Sequence, residues 1–177
     1  MKICGNKSGF TMIEVVAVVI ILGILTAVAV SRISSNQNNL IAATDTLTSH
    51  LRLAQARAMN TSQDTGSGVQ SVWGVRFVSA TQYHLFYCAD ASACDPTIAT
   101  NQQAFPGAGS IMMDLTEKKV QVTNNAGVVI LAFNRFGTPY TNAALTVLLA
   151  NQLIFTVQDN NGVTKTINLT PQTGMIT

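Results

Sequence analysis

The sequence predicts an α+β fold in which one long N-terminal helix packs on antiparallel β-sheets. Three observations carry that reading. An uncharged run, Val15–Val30, passes without interruption into a stripe of apolar residues at helical spacing. A polar, turn-prone stretch at 60–68 (NTSQDTGSG) then ends the helical pattern. Beyond it, segments rich in β-branched and aromatic residues alternate with turn residues. A helix with one apolar face followed only by strands must bury that face on a sheet.

Taken in order, the first element is the apolar run. Between Phe10 and Val30 the only charge is Glu14, and Lys2 and Lys7 lie ahead of it. As a helix this stretch would rise about 31 Å, close to the thickness of a bilayer core. Two readings compete. In one, residues 1–30 are an ordinary secretory signal with Ala27-Val28-Ala29 as the cleavage site, and the remainder is a secreted or periplasmic binding module. In the other, cleavage precedes the run and the run stays as an anchor. The length, the carboxylate of Glu14 near its start and the continuation of the helical pattern past Ser31 favour the second. In that continuation Ile33, Leu40, Leu47, Leu51, Ala54 and Ala58 share one helix face, with polar residues on the others. The expected organisation is a leader at 1–9, a transmembrane or filament-core helix at 10–30, an amphipathic half at 31–62 and a globular β domain at 69–177. A carboxylate at bilayer depth costs a few kcal/mol without a partner, so Glu14 is expected to have one.

In the body, Ser71–Val78 and Gln82–Cys88 read as strands of a hairpin, followed by a long loop at 89–109 with Pro96, Pro106, Gly107 and Gly109. Shorter strands are expected at Ile111–Leu115, Lys118–Thr123 and Val128–Phe133, the last two joined by Asn124-Asn125-Ala126-Gly127. A final pair, Leu153–Gln158 and Val163–Leu169, flanks Asp159-Asn160-Asn161-Gly162, the clearest hairpin turn in the chain.

Charge excludes some functions. Apart from Lys2 and Lys7, eight basic residues balance eight acidic ones. A neutral body lacks the basic footprint that phosphate neutralisation demands, which disfavours nucleic acid as a partner. Of the three cysteines, Cys4 falls in the leader, leaving Cys88 and Cys94 as an even pair. With an export signal this points to an oxidising compartment and a Cys88–Cys94 disulfide, the alternative being two reduced thiols. The two histidines, His50 beside the helix stripe and His84 in a strand, have no metal-ligand spacing and are expected to be structural. Asp90 and Asp95 flank the cysteine loop, where a calcium site is conceivable, but two carboxylates fall short of the six or more oxygens calcium takes. No phosphate-binding loop, nucleophile elbow or zinc motif appears, so neither an enzyme nor a cofactor is expected.

Residues 7–14, Lys-Ser-Gly-Phe-Thr-Met-Ile-Glu, resemble the class III leader junction of type IV prepilins and pseudopilins. The resemblance implies cleavage between Gly9 and Phe10 by a prepilin peptidase and N-methylation of Phe10. It also implies that Glu14 pairs with a neighbouring subunit's N-terminal amine and so sets register during assembly. More loosely, the body resembles the minor pseudopilin H of type II secretion and the FimT-like minor pilins. The residues that carry this are Leu51–Ala58 (LRLAQARA), Phe133–Pro139 (FNRFGTP) and Thr173–Ile176 (TGMI). They imply two small β-sheets and a low-copy, tip-proximal subunit, held in the bacterial inner membrane by one span with its globular domain in the periplasm and then taken into a filament. The implied partners are the peptidase, other pilin or pseudopilin subunits and the inner membrane; the implied work is protein secretion or pilus biogenesis. Two departures stand out. Many pilins carry proline where this chain has Ser31, and the basic residues that DNA-uptake pilins use near the C-terminus are absent from 169–177.

Overall fold

The computed structural model describes residues 11–61 and 70–177, the side chains of 29–36 excepted. The leader expected at 1–9, Phe10 and Cys4 lie outside the described residues. Helix α1 runs from Met12 to Thr61. The chain forms two compact units, Met1–Asn36 and Gln37–Thr177.

The first unit holds the apolar half of α1. Thr11 caps the helix: its carbonyl and hydroxyl oxygens both lie near the amide of Glu14, at 3.1 and 3.4 Å. Thr26 donates its hydroxyl to the Leu22 carbonyl at 2.7 Å, which satisfies it inside the helix.

In the second unit, α1 turns one face inward. Leu40, Leu47, Leu51, Ala54 and Ala58 are buried, as the spacing predicts, with Ala43 and Thr44 beside them. Fully burying each leucine contributes about 1.5–3 kcal/mol. At the helix end, Thr61 accepts a hydrogen bond from the Trp73 indole, and the Arg57 guanidinium lies 4.8 Å above that ring. The helical pattern therefore continues two residues beyond Met59.

Among the described residues nine strands form two antiparallel sheets. In chain order they are β1 Val72–Phe77, β2 Gln82–Cys88, β3 Gln102–Gln103, β4 Met112–Asp114, β5 Val120–Asn124, β6 Ile130–Phe133, β7 Pro139–Tyr140, β8 Leu153–Asp159 and β9 Thr164–Leu169. The larger sheet is ordered β3-β2-β1-β6-β7, with β4 also on β2; the smaller is β5-β8-β9. Both expected hairpins form, β1 with β2 and β8 with β9. The strands joined by residues 124–127 do not pair with each other: β5 joins β8 and β6 joins β1. That connection crosses between sheets, and Asn124 brackets it by accepting from the amides of Ala126 and Val128.

The main core lies between α1 and both sheets, where Val75, Leu85, Leu131, Phe133, Leu153, Phe155 and Val157 meet the helix face. A smaller apolar cluster, Val72, Phe86, Cys88, Ala91, Ala132 and Ala143, occupies the opposite face of the larger sheet. The loop after β2 covers part of that face. It is tied down by the Cys88–Cys94 disulfide, by β3 pairing with Leu85–Phe86, and by buried Phe105 stacking on His50 at 3.7 Å.

Gly74 faces Phe86 directly across the β1–β2 ladder. A methyl group there would collide with the Phe86 ring and the Leu131 carbonyl oxygen. Gly74→Ala is therefore expected to destabilise the body by about 1–3 kcal/mol through overpacking, read as a lower midpoint in thermal unfolding of the detergent-solubilised chain.

His50 generates a pH dependence. Its Nδ1 lies 3.0 Å from the Tyr83 hydroxyl, and burial, then the charge of Lys118, lower its pKa from 6.5 to about 4. Burial likewise pushes the Tyr83 hydroxyl up. Because the folded value lies below the unfolded one, the stability from holding His50 neutral is complete above pH 6.5 and is lost as pH falls toward 4. The unfolding midpoint is expected to fall through that window, and His50→Gln to flatten the slope there.

Candidate functional site

Two regions stand out. The first is the start of α1. Glu14 is exposed in its first turn, three residues after the capping Thr11, where the partial positive charge of the helix N-terminus favours a carboxylate. The spacing Thr-x-x-Glu at 11–14 is itself a capping-box signal in the sequence. Behind Glu14 the helix is apolar on every side: Val18, Val19, Ile20, Ile21 and Leu22 are consecutive and all roughly half exposed. Five successive residues at 100° each pass right round a helix, so no single apolar face exists here. A helix of this kind is ordinarily covered by other apolar matter, protein or lipid. The expected span 10–30 begins outside the described residues, and among those described no helix is long and apolar enough to cross a membrane. Glu14 and Phe10 are not brought together by any described contact.

The second region is the far end of α1. The segments Leu51–Ala58, Phe133–Pro139 and Thr173–Ile176, far apart in sequence, converge there. Gln55 donates from Nε2 to the carbonyls of Gly137 and Gly174, both at 3.0 Å, and Arg52 donates to the Ile176 carbonyl at 2.9 Å. Gly137 and Gly174 both adopt positive φ, at 76° and 64°. A side chain on Gly174 would strike the Gly137 carbonyl, so both the backbone angle and the close approach require glycine. Buried Asn134 shapes the same loop, its Oδ1 accepting from the amides of Phe136 and Thr138 at 2.9 Å each. Beside the knot Met59, Phe136 and Met175 are exposed, and Arg135 lies over the Phe136 ring at 4.8 Å.

The remaining candidates are structural in their surroundings. The Cys88–Cys94 disulfide forms. Asp90 and Asp95 each close a turn, accepting from the hydroxyl and amide of Ser92 and of Thr97 respectively, and these hydrogen bonds hold both carboxyls below their ordinary range. Among the described residues no group of three or more His, Cys, Asp and Glu could hold a metal ion. His84 is fully enclosed, with Nδ1 3.3 Å from the Leu85 carbonyl; burial, with a smaller contribution from Arg76, lowers its pKa.

Removing the Gln55 amide takes away the hydrogen bonds to the carbonyls of Gly137 and Gly174 and the longer one, 3.5 Å, to Thr173. Gln55→Leu is expected to cost about 2–4 kcal/mol, measured by thermal unfolding, and to speed amide exchange at Gly174 and Met175.

Comparison with known proteins bears on the start of α1 and on the fold. Residues 4–30 match the family model described as the prokaryotic N-terminal methylation motif. No curated protein matches the chain. The crystal structure of the type IV minor pilin FimU of Pseudomonas aeruginosa PAO1 in space group P21 is similar to 80% of this chain and 88% of its own, with a TM-score of 0.53 at 15% identity. A second crystal form of FimU, in space group P65, gives 0.48 at 14% identity over 77% and 89% of the two chains. At such identity the first likeness speaks for the fold alone. The chain thus carries a prokaryotic N-terminal methylation motif at residues 4–30 and has a fold similar to that of a type IV minor pilin.

Proposed function

We propose that the protein is a structural subunit, a minor pilin or minor pseudopilin, of a type IV pilus or type II secretion pseudopilus. The observation that carries this is the sequence of coverings along a single helix. From Met12 to Val28 its large apolar side chains are exposed all round, and from Leu40 to Ala58 one face is buried by its own body. The first half demands apolar cover from outside the chain, while the second presents the globular body. The methylation motif lies over the first half.

In this reading a prepilin peptidase cuts after Gly9, Phe10 is methylated, and 10–30 holds the protein in the bacterial inner membrane with the body in the periplasm. The helix then packs among other subunits. Glu14, capped onto the helix start and rimmed by Val15, Val18 and Val19, meets the N-terminal amine of a neighbour and sets the register. A charge in such surroundings is strongly favoured to pair, because leaving it unpaired costs several kcal/mol. The work is mechanical, without catalysis or cofactor. The looser resemblance to minor pseudopilin H and FimT-like subunits supports a low-copy place near the tip. The neutral charge of the body speaks against a DNA receptor.

The test is the intact mass of membrane-extracted protein co-expressed with a prepilin peptidase. Loss of residues 1–9 with gain of one methyl group is expected; loss through Ala29 would instead identify a secreted binding module. In the same system Glu14→Ala is expected to be processed normally yet to enter filaments at least about tenfold less, as an interaction of over 1.4 kcal/mol requires. Normal incorporation would remove Glu14 from the assembly step.

A further inference from the structure

The smaller sheet ends at β9, whose outer side is paired with the C-terminal segment at its end, Leu169 with Ile176, and has no strand partner along residues 164–167. Its main-chain orientation is fixed by two contacts with the C-terminal segment. The Asn168 amide donates to the Thr177 carbonyl at 2.8 Å, and the Thr177 amide donates back to Asn168 at 3.0 Å. Asn168 therefore directs its main-chain groups away from β8. Alternate residues of an antiparallel strand address the same neighbour, so Thr166 and Thr164 do likewise, while Lys165 and Ile167 address β8. Among the described residues, the outward amides and carbonyls of Thr164 and Thr166 carry no partner, and both residues are exposed.

Space for a partner lies alongside. A groove of about 720 Å³ runs between β9 and α1, its walls including Thr44, Asp45, Thr48, Lys165 and Thr166. A second hollow of about 260 Å³ adjoins it at Lys165, with an apolar floor of Leu40, Ile41 and Val163. Ile41 and Val163 are 42% and 43% exposed, although each sits against a core element. Four strand positions, 164–167, offer about 13 Å of edge at 3.3 Å per residue.

We propose that this edge is a strand-addition site, which takes an extended polypeptide segment of a partner protein as a fourth strand of the smaller sheet. The chemistry selects the occupant. Donor and acceptor pairs on alternate residues are matched by extended main chain. Side chains of such a segment alternate, one set toward the Leu40–Ile41–Val163 floor and the other toward solvent, so the segment carries apolar residues at every second position. Lys165 and Asp45 at the rim accept a charge of either sign. An unpaired edge is otherwise a liability that folds tend to cover.

The test uses the full chain in detergent and a synthetic heptapeptide with the β8 sequence Leu153–Asp159, which has the required alternation and already matches β9 on its other side. At saturating peptide, amide exchange at Thr164 and Thr166 is expected to slow at least about tenfold, with Lys165 and Ile167 unchanged. Thr166→Pro removes an outward amide without touching the β8 ladder and is expected to weaken binding about tenfold or more, whereas Thr166→Ala keeps the amide and binds normally. Absence of new protection at Thr164 and Thr166 with millimolar peptide overturns the proposal, as does protection confined to Lys165 and Ile167 or undiminished binding by a folded Thr166→Pro. Should that variant fail to fold, the exchange pattern of the unaltered chain decides.

Discussion

One helix face serves two sheets. Leu40, Leu47, Leu51, Ala54 and Ala58 meet residues of both the β3-β2-β1-β6-β7 sheet and the β5-β8-β9 sheet. A direct main-chain link between the sheets runs from the Val122 amide on β5 to the Ala80 carbonyl in the turn between β1 and β2. Neither sheet encloses a core alone, since the apolar face that each turns toward the helix requires a second layer. The burial of the helix face is thus what makes two small sheets into one body.

Polar side chains complete what apolar burial begins. Gln55 stands one position from the buried Ala54 and hydrogen-bonds two loops that never pair with each other as strands. Asn124, Asn134, Asn142 and Asp159 each accept from amides two to five residues ahead, closing their own loops from within. The main-chain donors of these connections are therefore satisfied locally, as buried or half-buried amides must be.

Helix and hairpins were legible in the sequence because each has a period or a turn signal that is local. The stripe from Leu40 to Ala58 and the Asp159–Gly162 turn both rest on residues within a few positions of one another. What depended on a distant neighbour was not legible. Gln102–Gln103 and Pro139–Tyr140 have little strand character of their own and are strands because β2 and β6 present free edges to them. The pairing of β5 and β6 could not be read from alternation, which is the same whichever sheet a strand joins. Gln55 looked like one more solvent-side amide, and only the folded chain brings two carbonyls to it. Of the N-terminal region, the apolar run and Glu14 were plain from composition, while the cap formed by Thr11 was present as a four-residue spacing and passed over.

The self-closing loops have an evolutionary consequence. A connection whose fold is dictated by one Asn or Asp at its base does not depend on what its tip residues touch, so tip residues can drift freely while the base stays fixed. Residues such as Ala126, Asn160 and Asn161 lie at such tips. The surface could be repainted there without renegotiating the packing beneath, and chains of this fold could share the body while agreeing in few of their residues.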